Sequence, residues 1–170
     1  MGCDKALLPF RGGTLAQAVA TAVARAAGSA TFVGNPQTYG AMGFPAIADL
    51  YPGEGPLGGI LTALRHTEAD WNLITACDMP GLTPELLLRL LEEAERADAD
   101  GLAPAGPLRL EPLCAVYHRR CRRALEEQFA AGVRKVAAAL EAVRIVRLPV
   151  VEVSCFQNVN TPEEWSACER

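Results

Sequence analysis

The sequence has no long apolar run, no closely spaced cysteine pair and no leader pattern, and each shortage excludes a class of protein. No stretch approaches the roughly 18 apolar residues that a membrane-spanning helix needs. The six cysteines are scattered without a CxxC pair, which fits neither a zinc ribbon nor a disulfide framework. The first residues show no basic stretch followed by an apolar core, so no secretory signal is visible. We therefore expect a soluble, cytoplasmic protein without a membrane partner.

Basic residues are also fewer than acidic residues, and lysine is especially rare. The chain carries 16 Lys and Arg against 20 Asp and Glu, a net charge of -4, which argues against a nucleic-acid partner. Lysine occurs only as Lys5 and Lys135. Because lysine and arginine are not interchangeable, the choice of lysine at position 5 makes Lys5 a candidate functional residue. The two histidines, His66 and His118, have no partner at the spacing of a metal site or catalytic triad.

Hydrophobic residues make up 50% of the 170-residue chain and alternate between helical and extended spacing. This length allows one domain, spanning residues 1–170, with a sizeable core. Short strands are predicted at 31–33, 46–48 and 71–76, and helices at 15–27 and 83–97. Alternating short strands and amphipathic helices predict an α/β fold: three α/β/α layers around a mostly parallel sheet.

Polar residues that follow the predicted strands are the first candidates for a site, because ligands of such sheets bind beyond the carboxyl ends of the strands. Asn35, Asp49 and Asp78 all stand at such positions. Asp78 directly follows a buried strand, and its carboxylate suits a hard cation such as Mg²⁺ held together with phosphates. The alternative is that Asp78 only caps the turn into the next helix.

Three further segments carry weaker signals. The glycines of 53–59 let backbone N–H groups approach an anion at a helix start, although an ordinary flexible loop has the same composition. Lys5 suits a phosphate as a point charge, or is a solvated surface lysine. Asn158 and Asn160 alternate about Val159, so both could face one site from a strand. A polar strand edge and a helix cap are the alternatives there.

Five segments occur together in a distinctive order. They are MGCDKALLP at 1–9, GPLGG at 55–59, ACDMP at 76–80, EPLCAVY at 111–117 and NVNTPE at 158–163. In this combination the chain resembles the molybdenum cofactor guanylyltransferases, which have a Rossmann-like nucleotidyltransferase sheet. The resemblance implies transfer of GMP from GTP to molybdopterin, with Mg²⁺ as cofactor and pyrophosphate as the released product. Other cofactor-biosynthesis proteins or molybdoenzymes are the further partners it implies.

The resemblance also implies roles for individual residues. Lys5 and Asp78 would be catalytic, with Lys5 on the GTP phosphates and Asp78 on Mg²⁺. Asp49 would contact guanine, and Asn35, or Gly34 in its place, would complete the GTP site. The molybdopterin side of the cleft would be formed by Gly55, Pro56, Leu57, Gly58, Gly59, Asn158 and Asn160.

Two alternatives stay open. The related cytidylyltransferases usually carry acidic residues where this chain has Asn158 and Asn160, so the sequence favours GTP over CTP. The family also places a strand and a Leu-Ala-Gly-Gly turn ahead of the Met-Gly that starts this sequence. We therefore expect a sheet without its first central strand, and a much weaker catalyst than a full-length relative. A non-catalytic carrier of the cofactor or its nucleotide is the corresponding alternative function.

Overall fold

The computed structural model describes residues 4–106, 110–149 and 153–156, in which strands and helices alternate. The strands are β1 (Pro9–Phe10), β2 (Gly13–Thr14), β3 (Phe32–Val33), β4 (Ala46–Ile47), β5 (Trp71–Thr75), β6 (Gly101–Ala105), β7 (Cys114–His118) and β8 (Ile145–Pro149). The helices are α1 (Leu15–Ala27), α2 (Pro36–Tyr39), α3 (Pro56–His66), α4 (Pro84–Arg96), α5 (Cys121–Ala130) and α6 (Val136–Ala139). The predicted α/β class is confirmed. No helix within the described ranges is long and apolar enough to cross a membrane.

The larger sheet has the strand order β5-β7-β6-β8. Strand β8 runs parallel to β6, whereas β7 runs antiparallel to both β5 and β6. Three of its four strands therefore share one direction, as the prediction of a mostly parallel sheet requires. Strand β7 reverses because only residues 106–113 join it to β6, and so short a connection suits an antiparallel neighbour better than a crossover.

Two apolar cores, one on each face of this sheet, produce the three layers. Alternate residues of β6 and β7 point to opposite faces because side chains along a strand alternate. Ala103, Ala115 and Tyr117 join one core with the apolar residues of α3 and α5. Leu102 and Val116 join the other with residues of α1 and α4. Burial on both faces explains why these strands read as continuous apolar runs.

A second, smaller sheet consists of β3 and β4, which pair in parallel. Among the described residues no strand connects it to β5, the nearest edge of the larger sheet. A cleft of about 510 Å³ separates the two sheets, bordered by residues of both β3 and β5. This division is the arrangement expected for a sheet that lacks a central strand.

The segment ahead of α1 is more ordered than its sequence indicates. Lys5–Leu7 form a single 3-10 turn, and β1 and β2 then make a short antiparallel hairpin. The Thr14 side chain caps α1 reciprocally with Gln17, so that both side chains bond to backbone N–H groups at the helix start. This cap fixes how the β1–β2 hairpin joins the start of α1.

Candidate functional site

The ends of β3, β4 and β5 bring the predicted polar residues to one edge of the molecule. Asn35 lies two residues beyond β3 and Asp49 two residues beyond β4. The two strands are held in register where the Gly34 backbone N–H donates to the Ile47 carbonyl at 2.9 Å. Asn35 and Asp49 therefore follow the matched carboxyl ends of a parallel pair, as the sequence predicts.

Lys5 and Asp78 come together at the end of β5. Asp78 is half-buried, and burial raises the pKa of its carboxyl group. A hydrogen bond from its own backbone and the nearby positive charge of Lys5 act in the opposite direction and lower that pKa. Lys5 is itself partly buried, and its positive charge is near enough to Asp78 to affect the pKa of that carboxyl group.

Asp4 connects the amino-terminal turn to the end of β3. Its carboxylate accepts a hydrogen bond from the Ala6 backbone N–H at 3.1 Å and another from the Tyr39 hydroxyl at 2.5 Å. The Tyr39 ring covers Gly34, where an added Cβ would lie 2.7 Å from a ring carbon. Asn35 starts the same short helix by accepting the Gln37 N–H at 2.9 Å. The bond between Asp4 and Tyr39 thus ties the residue before Lys5 to the short helix that follows the Gly34-Asn35 turn.

Asp49 is held by a buried threonine that sequence reasoning missed. Its Oδ1 accepts the Tyr51 backbone N–H and the Thr62 hydroxyl, both at 2.9 Å. Thr62 is 1% exposed, and its oxygen also accepts the Leu50 N–H at 3.1 Å. The signal available in the sequence was a polar residue on the apolar face of α3, next to Leu61 in the core.

The glycine-rich loop ahead of α3 is anchored on both sides. Gly55 has φ of 81°, the left-handed region that favours glycine, and it directly precedes α3. Gly58 packs against Tyr51, whose Cβ would lie 2.9 Å from an added Cβ. Glu54 accepts a hydrogen bond from Arg134 Nε at 2.5 Å. These contacts argue against a merely flexible loop.

Of the loop residues predicted to line the molybdopterin side, some border the cleft and one has its side chain buried in the core. Pro56 and Gly59 border the cleft between the two sheets. The Leu57 side chain is fully buried in the apolar core, so only its backbone is available to a ligand. Asn158 and Asn160 lie outside the described residues, and their roles stay predictions.

The other candidate nucleophiles and bases are a buried thiol, Cys77, and two histidines at the ends of secondary-structure elements. Burial raises the pKa of the Cys77 thiol to about 11, with the charges of Asp78 and Asp4 adding to the effect. A neutral thiol is a poor nucleophile. His66 ends α3, and His118 ends β7, where its ring packs edge-on against Trp71. The described ranges contain no group of three or more His, Cys, Asp or Glu side chains arranged to hold a metal ion.

Comparison with known proteins agrees with this arrangement. The model of the MobA-like NTP transferase domain matches residues 1–144. The chain belongs to the MobA-like NTP transferase family. This membership confirms the family and the transferase class predicted from the five sequence segments.

Relatives of this MobA-like chain cover most of its length. A probable molybdenum cofactor guanylyltransferase of Clostridium perfringens is 33% identical over 77% of this chain and 70% of its own length. Another, from Carboxydothermus hydrogenoformans, is 31% identical over 97% of this chain and 86% of its own length. The crystal structure of molybdopterin-guanine dinucleotide biosynthesis protein A from Archaeoglobus fulgidus is 30% identical. It superposes with a TM-score of 0.82 and covers 99% of this chain and 90% of its own.

Proposed function

We propose that this chain is a molybdenum cofactor guanylyltransferase, which transfers GMP from GTP to molybdopterin and releases pyrophosphate. Its family and its relatives support this class of reaction. The observation that supports the proposal is the nearness of the Lys5 charge to Asp78, which follows β5, together with the position of Asp49 beyond the end of β4. Nucleotidyl transfer requires a cation for phosphate, a carboxylate for a metal ion and a base-recognition group. These three residues supply those chemical types.

The reaction that fits this site is an in-line displacement at phosphorus. The terminal phosphate of molybdopterin attacks the α-phosphorus of GTP, the bond to the bridging β-phosphate oxygen breaks, and pyrophosphate leaves. An ionised phosphate needs no strong general base, so positioning and neutralisation of charge carry the catalysis. Lys5 would act on the phosphates by binding them and by offsetting the negative charge that builds up on the leaving group.

Asp78 fits a Mg²⁺ ion that is bound chiefly through the nucleotide. Magnesium is commonly held by one or two carboxylates together with phosphate oxygens and water. Asp78 provides a hard oxygen ligand at the end of a strand, next to the cation that would hold the same phosphates. When bound, Mg²⁺ would draw the phosphates together and withdraw charge from them.

Asp49 fits recognition of guanine in preference to adenine or cytosine. With Oδ1 held by two protein donors, the two lone pairs of Asp49 Oδ2 can accept hydrogen bonds from the adjacent N1–H and exocyclic amino group of guanine. Adenine and cytosine lack that pair of adjacent donors. Because Thr62 and the Tyr51 N–H already hold Oδ1, the carboxylate is oriented before the nucleotide binds.

Replacing Asp49 by asparagine should reduce the selectivity of the enzyme for GTP. In Asp49→Asn, Oδ1 can still accept from Thr62, but an amide N–H₂ would face the donors of guanine. We expect the ratio of GTP to CTP affinity to fall about 10- to 100-fold, the loss typical of a hydrogen-bond pair to a charged group. Titration calorimetry with each nucleotide checks this. An unchanged ratio would remove Asp49 from the base-recognition role.

Replacing Thr62 by valine should weaken GTP binding by removing a hydrogen bond that orients Asp49. In Thr62→Val, Asp49 loses its hydroxyl donor and the Leu50 N–H loses its acceptor. We expect a loss of about 1–2 kcal/mol in the free energy of unfolding and weaker GTP binding. The matched control is Thr62→Ser, which keeps the hydroxyl and should retain GTP affinity. If Val and Ser variants bind GTP equally well, Thr62 does not position Asp49.

A carrier of the cofactor or its nucleotide is the second candidate, favoured by the open cleft between β3 and β5. The two functions separate in one experiment. The protein is mixed with GTP, Mg²⁺ and molybdopterin, and released pyrophosphate is measured beside a reaction without molybdopterin. A guanylyltransferase releases pyrophosphate only with molybdopterin present. A carrier binds the dinucleotide product but releases none, and that result would overturn the proposed activity.

A further inference from the structure

The end of α5 contacts the glycine-rich loop through an arginine that has no part in the proposed chemistry. After α5 the backbone reverses: the Gly132 N–H donates to the Phe129 carbonyl and the Val133 N–H to the Gln128 carbonyl, both at 3.0 Å. This reversal brings Arg134 back over the last turn of the helix. Its guanidinium carbon lies 4.0 Å from the centre of the Phe129 ring. Arg134 is therefore held against the end of α5, within reach of the loop.

Four contacts fix the orientation of the Arg134 guanidinium. Besides packing on the Phe129 ring, its Nη1 donates to the Phe129 carbonyl at 2.8 Å and to the Val133 carbonyl at 3.1 Å. Its Nε donates to Glu54 at 2.5 Å. Exposed ion pairs usually contribute little, because two long side chains must be held in one geometry. Here that cost is smaller, since the ring and the two carbonyls already hold the planar guanidinium.

The same helix end also holds Tyr51. The rings of Tyr51 and Phe129 pack at a tilt, with their centroids 4.7 Å apart. The Arg65 guanidinium carbon lies 5.7 Å from the centre of the Tyr51 ring, and Arg65 pairs with Glu126 of α5 at 2.7 Å. Tyr51 and Glu54 begin and end one turn, in which the Glu54 N–H donates to the Tyr51 carbonyl at 3.1 Å. Contacts from α5 and the segment after it therefore hold both ends of this turn.

The turn at 51–54 joins two parts of the candidate site. Ahead of it, the Tyr51 N–H donates to Asp49 Oδ1 at 2.9 Å. After it, Gly58 of α3 lies so close that an added Cβ would be 2.9 Å from the Tyr51 Cβ. A displacement of Tyr51 would therefore disturb both the bond to Asp49 and the start of α3. Thr62 supplies the second bond to Oδ1, so the Asp49 carboxylate would be loosened without being released.

We propose that Arg134 is a positioning residue for base recognition. Through its ion pair with Glu54, and through the packing of Phe129 on Tyr51, it holds the 51–54 turn in the arrangement that orients Asp49. Arg134 acts through these groups and is assigned no contact with the nucleotide. The inference rests on the proposed role of Asp49 in binding guanine, and it makes selectivity for GTP depend on a contact outside the nucleotide site.

Two single variants, Arg134→Gln and Glu54→Gln, remove the ion pair from either side. The first measurement is amide hydrogen exchange without nucleotide, read at Tyr51, whose N–H is bonded to Asp49. We expect this amide to exchange at least about threefold faster in both variants, because the turn opens more often. The amide of Val116, inside β7, reports whether each protein is folded.

The second measurement is the ratio of GTP to CTP affinity by titration calorimetry with Mg²⁺. We expect this ratio to fall about 2- to 30-fold in each variant, the range typical of residues that act on a site through others. A merely structural role would weaken binding of both nucleotides by the same factor and leave the ratio unchanged. In the double variant Arg134→Gln/Glu54→Gln the loss should match the larger single loss, because both changes remove the same contact.

The matched control is Arg123→Gln. Arg123 pairs with Glu127 within α5, and these side chains are 90% and 66% exposed, against 42% and 47% for Arg134 and Glu54. Because that pair joins two residues of one helix, its loss should change neither the Tyr51 exchange nor the nucleotide ratio.

Three outcomes would overturn the role of Arg134. They are unchanged exchange at Tyr51 in Arg134→Gln, faster exchange with an unchanged GTP to CTP ratio, and single losses that add up in the double variant. Failure of the proposed function has a different signature. An unaltered protein that binds GTP no better than CTP would contradict that function, and the exchange at Tyr51 would still decide whether Arg134 holds the turn.

Discussion

Asp78→Asn is expected to abolish most nucleotidyl transfer while leaving the fold intact. The change removes the charge that would hold Mg²⁺ but keeps the size of the side chain. Loss of one group that stabilises charge in a transition state costs about 10²–10³ in rate, and loss of the metal ion adds to this. The measurement is the rate of pyrophosphate release from GTP with molybdopterin, together with Mg²⁺ or Mn²⁺ affinity in the presence of GTP.

The control for Asp78 is another carboxylate outside the site. Asp98 is exposed and pairs with Arg144 at 3.1 Å. Asp98→Asn should leave both the rate and the metal affinity unchanged. Because burial raises the pKa of Asp78, removing its charge should also not destabilise the protein. An Asp78→Asn protein that keeps full activity and metal affinity would exclude Asp78 as the metal ligand.

Lys5→Gln is expected to produce the second-largest loss, mainly through the phosphates of GTP. The glutamine keeps a polar side chain of similar length but has no charge. We expect the apparent affinity for GTP, and the rate at limiting GTP, to fall about 10- to 100-fold. Steady-state kinetics over a range of GTP concentrations checks this. Lys135, the other lysine of the chain, provides the matched control, and Lys135→Gln should behave as the unaltered protein.

The Lys5 variant should also change the pH dependence. The charge of Lys5 lowers the pKa of Asp78, so its removal raises that pKa further. In the proposed role Asp78 would bind the metal ion as the ionised carboxylate, so activity would fall as pH drops through the pKa of Asp78. The acidic limb of the pH–rate profile should therefore move to higher pH in Lys5→Gln. A limb that stays in place would show that the two residues do not interact in the active enzyme.

The elements with explicit start and stop signals were the ones predictable from sequence. The helix over 15–27 has the predicted bounds, with Gly28 in the left-handed region at its end. The Thr83 cap and Pro84 set the start of α4 as expected. The direction of each strand was harder to predict from the sequence, because β7 lies between β5 and β6 and pairs with residues that are distant in sequence. The β1–β2 hairpin has two-residue strands, too short to show a pattern.

The places of the candidate site residues in the fold were more predictable than their contacts. Placing polar residues at strand ends located Asn35, Asp49 and Asp78, because the geometry of parallel sheets is general. Contacts between segments that are distant in sequence could not be predicted from the sequence. Tyr39 reaches Asp4 across 35 positions, and Thr62 reaches Asp49 from a different element. Such bonds depend on how helices pack on the sheet, which no local pattern records.

Product identification tests the central claim most directly. The protein is incubated with Mg²⁺, molybdopterin and equal amounts of GTP and CTP, and the products are resolved by mass spectrometry. The account predicts molybdopterin-guanine dinucleotide with pyrophosphate, little cytosine dinucleotide, and neither product with Asp78→Asn. Formation of the cytosine dinucleotide in equal or greater amount, or of no dinucleotide at all, would contradict it.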